Sequence, residues 1–495
     1  MKSRKIVVIG SGIAGMAAAT RLAVMGHEVT VYEKNSYPGG KLSAFIKDGF
    51  HFDAGPSLFT QPQNIEELFQ LAGEPISGHF QYVKLPEICN YFFENGKQLT
   101  AYDDRQKLAA SVELALGEKA ANIISYLQRS EKLYNNIGSV FLDHSLHKRS
   151  TWLHKRIFAA LKTVRFPYLF GTLNDYNRSV LTTPGAQQMF NRYATYNGSN
   201  PYRAPGMLSL IPHLEYNQGS FYPNGGMISI TNALYALAVK KGVKFEFNAT
   251  VQRIIHMDAT AEGIVVNGKN VFADTVVTNA DIYFTYKQLL RHDAKAQKVL
   301  KQERSSSALI FYWGISKKFD QLGLHNIFFS ENYQQEFDLI FNKRNIGTDQ
   351  TVYVNITSKM DPGHAPAGKE NWFVMVNVPA NTGQHWEELI KLAKNNILTK
   401  LSRLLGEGIA PLIETEDILD PVLIEERTGS YMGSLYGTSS NSRLSAFFRH
   451  PNFTGYIKGL YCCGGSVHPG GGIPLCFKSA KIVADLIETE KKSKH

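Results

Sequence analysis

The stretch Lys5–Glu33, KIVVIGSGIAGMAAATRLAVMGHEVTVYE, constrains the 495-residue chain more than any other. Ile6–Ile9 is a short, wholly apolar run, the mark of a strand buried on both faces of a parallel sheet. Gly10, Gly12 and Gly15 follow in G-x-G-x-x-G spacing, with Ser11, Ile13 and Ala14 between them. The pattern then predicts a helix over Met16–Met25, closed by Gly26, and a second strand over Glu28–Glu33. Such a unit suits a dinucleotide. Gly10 permits a tight turn, Gly12 lets the backbone approach a pyrophosphate, and Gly15 lets helix and strand pack closely. The phosphates would meet free N–H groups at the helix start, where the dipole favours anions. A bare glycine motif also describes an ordinary turn, but here strand, helix, second strand and terminal acid are all in place. Glu33 can accept hydrogen bonds from a ribose diol, and an acid there disfavours a 2′-phosphate, which leaves NAD or FAD rather than NADP.

Several later segments carry the same kind of signal. After Glu33 and Lys34, Pro38-Gly39-Gly40 makes a glycine turn with Lys41 beside it, a second candidate phosphate contact. Phe50–Gly55 reads as a strand entering the sharp turn Gly55-Pro56-Ser57, with Asp53 before it. A pair of plain hairpins is the alternative. Val251–Ile255, Gly263–Val266 and Val271–Thr278 read as strands, and Thr278-Asn279-Ala280-Asp281 closes that unit. Near the C-terminus, Tyr461–Cys463 reads as a strand. A turn with five glycines around His468 and Pro469 follows, and Pro474 sits in the first turn of a helix running to about Glu490. So many glycines imply a bulky group against that backbone. A helix start there can stabilise negative charge on a reduced flavin.

Length implies two domains or one large interrupted domain. Aromatic content of 12%, with 29 Phe and 24 Tyr, fits either a dense core or a large apolar ligand. Cys89, Cys462, Cys463 and Cys476 form no C-x-x-C pair, so neither a metal site nor a disulfide framework is expected. Lys2, Arg4 and Lys5 ahead of an apolar run superficially resemble an export signal. The fingerprint glycines interrupt that run, so a cytoplasmic protein is expected. No apolar run reaches the length of about 18 residues that spans a bilayer.

The net charge is +10, and six basic residues lie in the acid-free stretch from His144 to Asn174. Leu153, Ile157, Leu161 and Val164 form an apolar stripe there, with Lys155, Arg156, Lys162 and Arg165 off it. Trp152, Phe158, Phe166, Tyr168 and Phe170 add aromatic bulk. The pattern is that of a basic amphipathic helix in a membrane interface near Trp152–Phe170. A helix on the protein's own core is the alternative, and no nucleic-acid module accompanies the charge.

Together, GSGIAGMAAATRL, PGGK, DAGPS, VTNAD and CCGGSVHPGGGIP resemble the bacterial and fungal phytoene desaturase family, in family order along essentially the whole chain. The C-terminal motif is the most specific: Gly464, His468, Pro469, Gly470, Gly472, Ile473 and Pro474 match, while Ser466 and Val467 depart from the usual Gly and Thr. The HPGGGIPL form looks most like the hydroxycarotenoid 3,4-desaturase branch. The resemblance implies a mixed α/β fold: a Rossmann-like FAD-binding domain of the monoamine-oxidase type, formed by residues 1–90, 221–295 and 430–495. Residues 91–220 and 296–429 would form an interrupting substrate domain, with a membrane-associating part near 144–174.

The same resemblance implies that Gly10, Gly12, Gly15 and Glu33 hold the ADP half of FAD. Lys41 would lie near the pyrophosphate, Gly55, Pro56 and Ser57 near the flavin, and Val251 against the adenine. Gly464, Gly465, Gly472 and Ile473 would line the isoalloxazine. Ser11, Ile13, Ala14, Lys34, Gly40, Asn279, Asp281 and His468 complete the expected cofactor set. The substrate would be a lipophilic carotenoid, met at the inner face of the cell membrane, with oxygen or a quinone as final electron acceptor. Desaturation beside a polyene needs a hydride acceptor and an exit for the adjacent proton. Glu215, before the YPNGG turn, is the candidate for the proton, with structural salt-bridging as its alternative role. Phytoene or dehydrosqualene desaturation, a flavin amine oxidase, a polyene isomerase and a non-enzymatic prenyl-binding escort are the competing readings.

Overall fold

The computed structural model describes residues 3–138, 141–148, 151, 168, 170–291, 299, 301–442 and 449–492. The predicted amphipathic helix near Trp152–Phe170 lies almost wholly outside the described residues.

The chain opens as the fingerprint requires. Strand Lys5–Ile9 lies at the centre of a five-stranded parallel sheet, between Glu28–Tyr32 and Thr275–Thr278, with Lys244–Glu246 and Leu460–Cys462 at the edges. Ile6, Val7 and Val8 are buried, as a central strand covered on both faces demands. The helix after the glycine turn spans Ile13–Val24, and its residues 13–22 are all buried. Its alanines let it lie between helices Ile228–Lys240 and Ile473–Lys492, with which it shares one apolar core. Two segments more than 200 residues away in sequence therefore close the N-terminal unit.

The β-prone run Val271–Thr278 is not one strand. Lys269–Phe272 pairs with Thr260–Val266 in a three-stranded antiparallel sheet, whereas Thr275–Thr278 joins the parallel sheet. Asp274 stands at the break: its carboxylate accepts from the Lys5 amide at 2.8 Å, and its own amide donates to the Lys5 carbonyl. These bonds anchor the start of the second strand in a different sheet, which propensity alone does not reveal.

A seven-stranded sheet supplies the other half. Its order is Ile413–Leu419, Ser307–Ile315, Glu370–Val378, Val352–Asn355, His325–Phe328, Glu87–Phe92 and Gln98–Tyr102, antiparallel except between the fifth and sixth. The expected division at residue 90 falls inside strand Glu87–Phe92. Side chains alternate across this sheet. Leu309, Phe311, Trp313, Val374 and Val376 pack beneath helix Trp386–Leu405. The intervening Ala308, Ile310, Phe373 and Met375 face the opposite way, into a cavity.

Candidate functional site

That cavity runs from the glycine turn after the first strand to the open face of the seven-stranded sheet. At the first end it is lined by Gly10, Gly12, Ile13, Ala14, Glu33, Lys34, Gly40, Lys41, Val251, Asn279 and Asp281. Farther along come Gly55, Pro56, Ser57, Gly465, Gly472, Ile473 and Glu215. The helices beginning at Ile13 and Ile473 both start at its wall, so two positive dipole ends face the same space.

Glu33 is held ready. One carboxylate oxygen accepts from the Ser11 amide at 2.8 Å and the Ser11 hydroxyl at 2.9 Å, and the other accepts from the Asn35 amide at 2.9 Å. Ser11 thus stands behind the acid rather than in the cavity wall. Lys41 reaches the Leu435 carbonyl at 2.7 Å. Burial pulls its pKa down, opposed by nearby Asp281 and Cys476. Asp281 caps the short helix Ile282–Phe284 through the Tyr283 amide, 2.8 Å away. Asp53 binds the Met227 amide at 2.9 Å at the start of helix Ile228–Lys240 and does not line the cavity.

Gly15 is fixed by packing: a Cβ there would lie 2.1 Å from the Gly10 carbonyl oxygen. At Gly12, which lines the cavity, a Cβ would also lie 2.6 Å from the Asn279 amide nitrogen. The C-terminal glycines pack similarly. A Cβ on Gly464 would meet Asn279, on Gly465 the Gly471 Cα, on Gly470 Arg449, and on Gly471 Tyr436. Gly472, with φ +108°, has nothing within reach of a Cβ, and Gly465 and Gly471 line the cavity with it while also packing against the chain. Gly464 and His468 do not line the cavity. His468 is buried, its Nε2 2.9 Å from the His144 carbonyl oxygen and its own carbonyl bound by Asn452 at 2.7 Å.

The far end combines apolar sheet residues with a polar cluster of which the sequence pointed to Glu215 alone. Ala308, Ile310, Ile327, Phe373 and Met375 present a flat apolar wall. Against it, Glu215 is buried and paired with Arg192 at 2.8 Å, and it also accepts from the Tyr193 hydroxyl. Burial alone would lower the Arg192 pKa, but the Glu215 carboxylate and the surrounding tyrosines hold it well above its ordinary value. Arg192 also donates to the Tyr91 hydroxyl at 2.8 Å and lies 4.4 Å from the Tyr193 ring centre. His325 shares the wall. Its Nδ1 sits 2.8 Å from the Tyr353 hydroxyl, which is 2.9 Å from the Ser57 hydroxyl. Arg192 and His325 carry no local motif, and only the presence of Glu215 in the same helical region hinted at a partner.

Among the described residues, no group of His, Cys, Asp or Glu side chains is arranged to hold a metal ion, and the cysteines are unpaired. No helix among them is long and apolar enough to cross a membrane.

Residues 13–488 match the family described as flavin containing amine oxidoreductase. The chain is 49% identical over 484 residues to a 1-hydroxycarotenoid 3,4-desaturase of Flavobacterium sp. (strain P99-3), covering 98% of this chain and 99% of that protein. It is 31% identical over 519 residues to a phytoene desaturase of Fusarium fujikuroi, covering 98% of this chain and 89% of that one. The fold is similar to the solved cyclohexylamine oxidase of Brevibacterium oxydans IH-35A, with TM-score 0.63 at 14% identity over 99% of this chain and 100% of that one.

Proposed function

The chain belongs to the flavin-containing amine oxidoreductase family, and we propose that within it this FAD-dependent oxidoreductase desaturates the 3,4 bond of a carotenoid with a hydroxylated end. One observation carries the reading: the dinucleotide-type end and the apolar sheet face are a single continuous cavity. The 49% identity to a 1-hydroxycarotenoid 3,4-desaturase supports the choice of substrate.

The residues present fit FAD. The Glu33 carboxylate, held by Ser11, suits the ribose diol, and the helix start at Ile13 suits the pyrophosphate. Lys41, Gly55, Pro56, Ser57, Gly472 and Ile473 surround the place for the isoalloxazine, where Gly472 leaves open space. Residues 1–90, 221–295 and 430–495 would form the cofactor unit and the remainder the substrate unit. Bound FAD supplies the hydride acceptor. The sheet wall then holds an extended polyene and keeps water out, so that the reacting carbons meet the cofactor in one orientation. Positive charge left on carbon spreads through the polyene and makes the neighbouring C–H acidic, so a weak base suffices. Glu215 is not free to be that base. Its oxygens are engaged by Arg192 and Tyr193, and its part is to fix Arg192 in the wall.

The basic stretch near Trp152–Phe170 would bring the cavity to the bilayer in which carotenoids reside. The test is incubation of the purified flavoprotein with a 1-hydroxycarotenoid and mass analysis of the pigment. Loss of two hydrogens supports the reading. Unchanged mass with altered geometry would make it an isomerase, and turnover of amines instead would make it an amine oxidase.

A further inference from the structure

Two residues of the cavity wall, Arg192 and His325, each keep a nitrogen that makes no hydrogen bond to a described residue. Arg192 spends Nε on Tyr91 and Nη2 on Tyr193 and Glu215, the Tyr196 hydroxyl also lies beside the guanidinium, and Nη1 makes no close hydrogen bond to a described residue. His325 is 4% exposed, and its Nε2 has no hydrogen-bond partner. The Asn355 amide, oriented by the Leu324 carbonyl at 3.0 Å, points an N–H at Nδ1, 3.1 Å away. Nδ1 is therefore the acceptor, and the ring proton of the neutral imidazole sits on Nε2. Burial, aided by the Arg192 charge, holds the His325 pKa down to about 3, so the ring is neutral near pH 7. An unsatisfied buried donor such as His325 Nε2 is costly, and a pure hydrocarbon offers neither nitrogen an acceptor.

We infer that Arg192 and His325 form a hydroxyl-binding subsite, donating from Nη1 and Nε2 to the oxygen of a hydroxylated carotenoid end and selecting it over the hydrocarbon end. The inference rests on the proposed desaturase activity and deepens it. In a 1-hydroxy, 3,4-desaturated end the hydroxyl-bearing carbon is two bonds from the reacting C3. An anchor on the oxygen therefore fixes the reacting bond directly. The Ser57–Tyr353–His325 chain of hydrogen bonds ties this anchor to the Gly55–Ser57 turn, where the flavin is expected. Glu215 acts as a positioning residue, holding the guanidinium with one nitrogen left over.

The test compares kcat/KM for a 1-hydroxycarotenoid and for the same carotenoid with hydrogen in place of the hydroxyl, using FAD-loaded enzyme. His325→Phe removes one donor. The pair Arg192→Met with Glu215→Gln removes the other without leaving a lone buried charge, which guards against simple unfolding. The wild type is expected to prefer the hydroxylated substrate. That preference should fall about fivefold in His325→Phe and about tenfold or more in the double variant, the weights of a neutral and a charged donor. His325→Gln, which keeps an N–H donor, should restore part of it. Equal losses on both substrates, or an unchanged preference, would overturn the subsite while leaving the desaturase reading intact. A change in the bound flavin's absorption spectrum in His325→Phe would assign Nε2 to the cofactor and also overturn it. Absence of turnover of either carotenoid by the wild type would sink both.

Discussion

Replacing Glu33 with Gln should weaken FAD binding without unfolding the sheet it ends. The carboxylate receives three N–H or O–H donors, two from Ser11 on one oxygen and one from Asn35 on the other. A glutamine matches the size but offers a single acceptor oxygen. If that oxygen keeps the Ser11 bonds, the new NH2 group faces the Asn35 N–H, donor against donor. If it turns round, Ser11 loses both acceptors and is released from behind the acid. Either way the negative charge expected to receive the ribose hydroxyls is gone. Hydrogen bonds to a charged group contribute about 1.5–3 kcal/mol each. Loss of one such interaction corresponds to a Kd for FAD raised roughly 10- to 150-fold. The assay is titration of the apoprotein with FAD, followed by quenching of flavin fluorescence, in parallel with the thermal midpoint of the apoprotein. A Kd within twofold of wild type would refute the assignment of Glu33 to the ribose. An equal loss in the apoprotein's own stability would show that the acid serves the loop rather than the cofactor.

Two further outcomes follow from charge. Burial holds His325, His450 and His468 down to about 3, 4 and 4, against an ordinary value near 6.5. The unfolded chain therefore takes up protons at these positions below about pH 6.5 while the folded chain does not. Stability should be full above that pH and fall toward pH 4, by up to about 1.4 kcal/mol per pH unit for each histidine. Urea midpoints between pH 7.5 and 4.5 check this, and a flat profile would contradict it. Changing Lys155, Arg156, Lys162 and Arg165 to Gln should weaken binding to vesicles containing anionic lipid by about 4 kcal/mol, roughly a thousandfold, at about 1 kcal/mol per charge. Cosedimentation measures it, and unchanged binding would remove this stretch from the membrane contact.

The parts of the site that follow from local backbone rules were legible in the sequence. Gly15 must be glycine because the helix passes so close to the Gly10 carbonyl, and Glu33 must end the second strand to reach the turn. Those demands act within about 30 residues and leave a pattern. The C-terminal glycine turn misled in one respect. Its glycines announce close approach, and at four of them the chain itself, through Asn279, Gly471, Arg449 and Tyr436, is one of the approaching groups. Residue type cannot distinguish such contacts from a ligand's. Val271–Thr278 read as one strand because both halves hold strand-favouring residues, Val271 and Phe272 in one and Thr275–Thr278 in the other, while the sheet change at Asp274 depends on a contact with Lys5. The apolar wall was invisible for a related reason. Strands buried on both faces carry no alternation to say which side meets a helix and which a cavity. Arg192 and His325 lie more than 130 residues apart, and Glu215 could be named but not its partner.

The most direct test of the desaturase reading is an anaerobic single turnover. FAD-loaded enzyme is mixed with a 1-hydroxycarotenoid while flavin absorbance is followed. Flavin bleaching that matches, mole for mole, the appearance of a pigment two hydrogens lighter is the predicted result. A flavin that stays oxidised with the carotenoid but bleaches with an amine would contradict it.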